Sequence, residues 1–199
     1  MASTARMREI VPGLFLGNVK ASYNQGCSEI MWVWWNSATR KAGIPEARHK
    51  WVSCVDSSTQ DLLAHMSDIC DFIEQMASSA LRSSSTLPDP GPGPGAILVH
   101  CDLGISRSPT IIIAYLMRKY GAKLSVVLAF MQSKTKVKPS ANFMRQLEVW
   151  EQVGYQVWED EETGRTVPKA VYQAFLETRT GILKSKGLTG DEPLLPENL

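Results

Sequence analysis

Residues 96–121, AILVHCDLGISRSPTIIIAYLMRKYG, constrain the fold more than any other part of the chain. AILVH is an apolar run of strand length, short enough to be buried on both faces. The stretch SPTIIIAYLMRKYG after it reads as a helix, with Ser108 suited to cap it, Pro109 to its first turn and Gly121 to its stop. A strand buried on both faces needs other strands beside it and helices over it. The expected fold class is therefore α/β, a central, mostly parallel sheet flanked by helices. With 199 residues and 44% hydrophobic content, the chain can bury a sizeable core, and one globular domain is expected.

The remaining segments fit that class. REIVPGLFLGN suits a first strand broken by the Pro12-Gly13 turn, and HKWVSCVD suits a strand ending at Asp56. From Asp61 to Leu81, the apolar residues Leu62, Met66, Ile69, Ile73 and Met76 recur at three- and four-residue spacing, which predicts an amphipathic helix. RSSSTLPDPGPGPG cannot form a packed element and reads as a flexible surface loop over 83–95, and no Gly-Lys-Ser/Thr closes it into a nucleotide-binding loop. Further helices are expected at SVVLAFMQSK, FMRQLEVWEQVG and PKAVYQAFLETRTGILKSKG, the last starting at Pro168 and stopping near Gly187. MWVWW, with Trp32, Trp34 and Trp35, reads as an irregular strand packed on the sheet.

Several function classes are set aside by composition. The formal net charge is +1, so no global field draws the chain onto nucleic acid or an acidic membrane, and anion recognition must be local. MASTARMREI has no signal-peptide core, Ala2 stands where myristoylation needs glycine, and no segment offers a membrane-length apolar run. A soluble chain, cytoplasmic and/or nuclear, monomeric and without nucleic-acid or membrane partners is expected. Cys27, Cys54, Cys70 and Cys101 form no Cys-x-x-Cys pair and are expected to be thiols; no metal ligand set is read.

The turn between the buried strand and the helix is the candidate site. Such a loop aims successive backbone N–H groups into one concavity, backed by the positive end of the helix dipole, and that concavity wants an anion. Arg107 at the helix start offers a planar fork for two oxygens of a tetrahedral oxyanion, and Cys101 faces the same anion from below. The same donors are suited to negative charge on the sulfur. Most free cysteines are small core residues. The company of His100, Gly104, Arg107 and Ser108 selects the reactive reading for Cys101, with His100 as a supporting group that orients the loop.

HCDLGISRS resembles the His-Cys-x-x-Gly-x-x-Arg-Ser signature of the cysteine-dependent protein phosphatases, and AYLM at 114–117 is similar to their dual-specificity branch. VPGLFLGN resembles that family's opening strand, FMRQLEVWE its closing helix, and Asp56 stands before Leu62 as the family's general acid stands before its helix. The resemblance implies a dual-specificity phosphatase catalytic domain over 1–155, with 156–199 a C-terminal helical extension and tail. It implies a phosphate-binding loop of Cys101, Asp102, Leu103, Gly104, Ile105, Ser106 and Arg107. Cys101 would form a phosphocysteine, Arg107 and the loop amides would hold the phosphate oxygens, Asp56 would act as acid and then base, and Ser108 would donate to the departing thiolate. No cofactor or metal is implied, and the expected substrate is a phosphorylated protein carrying phosphotyrosine and/or phosphoserine/phosphothreonine.

Some positions depart from the pattern or stay open. Asp61 competes with Asp56 as acid or serves as a helix cap. Asn142 is adjacent to Phe143, where the family places its bracing Asn three or four residues before the Phe, so that bracing role is not carried over. Between Asn18 and Asp56 only EIMWVWW can supply the family's core strand, so one sheet edge is in question. Cys54 reads as core, with a reversible disulfide to an oxidised Cys101 as the sharper alternative. Asp102 in the loop, and no evident basic cluster beside it, argue against phosphoinositides and RNA 5′-triphosphates. The competing function is a phosphate-reading module with little turnover; a sulfurtransferase loop explains neither Arg107-Ser108 nor Asp56.

Overall fold

A computed structural model of the chain describes residues 5–23, 29–32, 48–82, 96–161 and 164–190. Five strands, β1 (Met7–Val11), β2 (Leu14–Asn18), β3 (Glu29–Trp32), β4 (His49–Trp51) and β5 (Ile97–Cys101), form one sheet in the order β1-β2-β5-β3-β4. β1 and β2 pair antiparallel, while β2–β5, β5–β3 and β3–β4 pair parallel. All of Ile97, Leu98, Val99, His100 and Cys101 are buried, as expected of the central strand of a sheet covered on both faces. Period-two alternation divides them: Ile97, Val99 and Cys101 join the main core, whereas Leu98 packs near Gly17.

β3 resolves the question left between Asn18 and Asp56, because Glu29–Trp32 lies between β5 and β4 and completes the sheet. Trp32 is its last residue, while Trp34, Trp35, Cys27 and the loop over 83–95 lie outside the described residues. The strand expected from HKWVSCVD is shorter, because pairing with β3 ends at Trp51 and Val52–Asp56 continues without a ladder partner among the described residues.

A short 3-10 turn, Leu63–His65, leads into α1 (Met66–Arg82), so the helix expected from Asp61 begins a turn later. α2 (Arg107–Tyr120) follows β5 and packs against β5, α1, α3 (Leu124–Lys134) and α4 (Ala141–Gln152). Every residue from Ser108 to Met117 is buried, which explains why its apolar residues run almost without interruption: a helix surrounded on all sides has no solvent face. Gly121 ends it at φ 57, a conformation that glycine adopts without the penalty of a Cβ. The Trp150 indole N–H donates to the Ala114 carbonyl at 3.1 Å, so the largest core side chain also satisfies its one donor.

Beyond α4, β6 (Trp158–Asp160) and β7 (Thr166–Pro168) form an antiparallel hairpin, and α5 (Ala170–Ser185) runs back over α4. Pro168 pairs with Trp158 instead of opening the helix, because the Lys169 N–H is held by the Val157 carbonyl at 2.9 Å and keeps the chain in the hairpin. Tyr172 stacks on Phe175 with ring centroids 6.2 Å apart, and Trp158 meets Tyr172 edge-on. No described helix is long and apolar enough to cross a membrane.

Candidate active site

The site is built on the end of β5. Chain entering α2 must leave the sheet within a few residues, and Gly104, at φ 71, makes that turn. A Cβ at Gly104 would lie 2.7 Å from the Gly17 carbonyl oxygen, so glycine is required both by the dihedral angle and by the close approach to β2. The loop is then tied down along its length. The Val19 N–H donates to the Asp102 carbonyl, the Lys138 N–H to the Ile105 carbonyl at 2.8 Å, and the Ser140 N–H to the Ser106 hydroxyl at 3.1 Å. Neutral bonds of this kind are worth about 1 kcal/mol each, and their combined effect is to fix the loop before any ligand arrives.

Cys101 lies at the floor, 2% exposed. Its sulfur accepts hydrogen bonds from the Gly104 backbone N–H and from the Ser108 hydroxyl, each at 3.2 Å. Ser108 is therefore not the helix cap that the sequence pattern suggests. Ser106 holds the cap position, and its carbonyl accepts from the Thr110 N–H and hydroxyl. Ser108, two residues further along, is turned towards sulfur.

Arg107 donates through Nη1 to the Cys54 carbonyl at 3.3 Å, which ties the start of α2 to the segment leading to Asp56. Burial pushes the Cys54 thiol up to about 12; Arg107 pulls it down, and Asp56 and Cys101 push it up further. This buried thiol thus lies within electrostatic range of Arg107, Asp56 and Cys101. Cys54 is a buried thiol, as are Cys70 and Cys101.

Asp56 is exposed at the start of the turn 56–61. Asp61 takes up the capping side of its reading: its carboxylate accepts from the Leu63 N–H at 3.0 Å, at the start of the 3-10 turn, and from the Tyr172 hydroxyl. The turn closes on itself through the Gln60 N–H to Ser57 hydroxyl and the Val55 N–H to Gln60 side-chain bonds. From α4, Asn142 donates to the Ser57 and Gln60 carbonyls at 2.8 and 2.9 Å, and Gln146 donates to Gln60 while accepting from the Leu62 N–H. Asn142 thus does brace, although its place beside Phe143 hides it in the sequence. Gln146 carried no signal.

His100 is fully buried, and burial pulls its imidazole down to about 4, a hydrogen bond with the Cys101 backbone acting the other way. Because the unfolded chain binds this proton below about 6.5 and the folded chain only below about 4, this contribution to stability is complete above pH 6.5 and is lost as pH falls towards 4. Lowering pH from 7 to 5 is expected to cost roughly 2 kcal/mol of folding stability through this group. Urea titration at the two pH values checks this, with His100→Gln expected to lose most of that slope.

Beside the loop a cavity of about 260 Å³ is lined by Arg6, Arg8, Gly17, Leu103 and Lys136, among others. No basic cluster is evident beside the loop in the sequence, because these cations come from Arg6 just before β1, Arg8 within it and Lys136 after α3, far apart in the chain. Leu103 is 56% exposed at its rim. Among the described residues no three His, Cys, Asp or Glu side chains gather to hold a metal.

A strand ending in a buried cysteine, a tied loop and an arginine at the head of a buried helix thus follow one another along the chain. The family model for the dual specificity phosphatase catalytic domain matches residues 15–153, and the chain belongs to this family. Dual specificity protein phosphatase 1 of Arabidopsis thaliana is 35% identical over 146 residues, covering 70% of this chain and 66% of that protein. Tyrosine-protein phosphatase YVH1 of Saccharomyces cerevisiae is 38% identical over 103 residues, 50% of this chain and 28% of that protein, so the chain spans only part of these relatives. The crystal structure of human tyrosine phosphatase-like serine/threonine/tyrosine-interacting protein matches with a TM-score of 0.58 at 25% identity, covering 74% of this chain and 96% of that one.

Proposed function

We propose that this chain is a phosphomonoester hydrolase that removes phosphate from phosphotyrosine and/or phosphoserine/phosphothreonine proteins through a phosphocysteine, without a metal. One observation carries the reading: the Cys101 sulfur, on the floor of a loop fixed in advance, accepts from Gly104 N–H and Ser108 Oγ while Arg107 reaches across to Cys54. Membership of the dual specificity phosphatase family supports it.

In the first step the Cys101 thiolate attacks phosphorus, the bond from phosphorus to the leaving oxygen breaks, and Asp56 gives that oxygen its proton. The loop amides from Asp102 to Arg107 and the Arg107 fork hold the three remaining oxygens, where charge accumulates. In the second step Asp56 takes a proton from water, whose oxygen attacks phosphorus. The sulfur–phosphorus bond breaks, and the Ser108 hydroxyl stabilises the departing thiolate. His100, buried and neutral, keeps the loop in place.

The catalytic unit is 1–155 and the remainder an extension; the chain acts as a cytoplasmic and/or nuclear monomer. Arg6, Arg8 and Lys136 beside the loop suit acidic side chains flanking a phosphorylated residue.

The acid role has its own test. Asp56→Asn is expected to lower kcat by about 10² or more on phenyl phosphate, whose leaving group needs a proton, and far less on p-nitrophenyl phosphate. Equal losses on the two substrates remove Asp56 from the acid role.

A further inference from the structure

The turn that carries Asp56 is held from two sides, and only one of them belongs to the matched family region. α4 grips it through Asn142 and Gln146. The other grip comes from α5, beyond residue 153 where the family match ends. The Tyr172 hydroxyl donates to Asp61 Oδ2 at 2.7 Å, Arg179 Nε to the Thr59 carbonyl at 2.6 Å, and Lys186 Nζ to the Ser58 hydroxyl at 2.8 Å. Tyr172, Arg179 and Lys186 recur every seven residues, so one stripe spanning α5 and its cap meets three residues of a single short turn.

We propose that α5 is a positioning element for the acid turn, acting through Tyr172 and Arg179 to hold Asp56 where it can reach the leaving oxygen. This rests on the acid role given to Asp56 above. The three contacts are unequal. Lys186 and Ser58 pair in solvent and contribute little. Tyr172 is 1% exposed and spans from the core, where it stacks on Phe175, to the carboxylate that starts the 3-10 turn. Arg179 brings a charged donor to a backbone carbonyl in the middle of the turn, a bond of the stronger kind.

The geometry explains why an exposed acid needs such a brace. Asp56 follows a segment with no ladder partner among the described residues, so the sheet does not fix it. Its position depends on the turn 56–61, and that turn rests on α4 and α5. A misplacement of about 1 Å in a reacting group costs up to about 10² in rate. Loss of one of two braces should cost less than loss of the acid itself.

Arg179→Ala, Arg179→Lys and Tyr172→Phe in the full chain separate positioning from simple stability. The readout is kcat on phenyl phosphate against kcat on p-nitrophenyl phosphate, with Asp56→Asn assayed in parallel and thermal unfolding recorded for each variant. Arg179→Ala is expected to lose about tenfold on phenyl phosphate and less than about twofold on p-nitrophenyl phosphate. Tyr172→Phe should shift the ratio in the same direction, and Arg179→Lys, which keeps a donor, should recover part of it. An unchanged ratio in both Arg179→Ala and Tyr172→Phe, while Asp56→Asn changes it, overturns the role of α5 and leaves the acid assignment standing. If Asp56→Asn itself leaves the ratio unchanged, the acid assignment falls and takes this inference with it.

Discussion

Cys101→Ser is expected to abolish turnover, by about 10⁴ or more, while leaving phosphate binding within a few-fold of the parent. The substitution changes one atom at a site that is 2% exposed, so packing is nearly unchanged. The Gly104 N–H and Ser108 hydroxyl can donate to an oxygen as they donate to sulfur, and Arg107 is untouched. On the proposed mechanism what disappears is the nucleophile, because a serine hydroxyl needs a base to remove its proton, and His100 is buried within the sheet with its imidazole pulled down to about 4. Initial rates on a phosphopeptide, together with inhibition by inorganic phosphate, measure the two halves of this expectation. Turnover within tenfold of the parent would place the nucleophile elsewhere.

Arg107→Lys should be nearly as damaging, and in both binding and rate. Lysine keeps the charge but replaces a planar fork by a single ammonium, which cannot span two phosphate oxygens and hold the Cys54 carbonyl in the same plane. Losing a donor aimed at developing charge costs about 10² to 10³ in rate. Phosphate inhibition should weaken in parallel, since the same fork binds the ground state. Near-normal phosphate affinity in Arg107→Lys would contradict the loop geometry proposed here.

The parts of the molecule legible in the sequence are those whose signals are local. The β5-loop-α2 unit announces itself by an apolar run, a glycine that must turn and a glycine that must stop, all within 96–121. β3 was legible only by elimination, since four residues of strand acquire their place by pairing with β5 and β4 and not by any pattern of their own. Even inside the loop, local preference misled: Ser108 is a good cap residue by type, but the demand of the sulfur for a donor outweighs it, and Ser106 takes the cap. The side chains that hold the turn 56–61 were hidden for a different reason. Asn142, Gln146 and Arg179 reach carbonyls more than eighty residues away in the chain, and nothing in the spacing of a polar side chain says which distant backbone it will meet. The basic rim formed by Arg6, Arg8 and Lys136 is of the same kind.

The central claim is that phosphate passes through Cys101. It is tested most directly by rapidly quenching the reaction with a phosphopeptide, with chelator and reductant present, and mapping the digested protein by mass spectrometry. A single phosphoryl group on the peptide containing Cys101, present in the parent and absent from Cys101→Ser, is the expected result. Continued release of phosphate with no phosphoryl group on Cys101 at any quench time would contradict it.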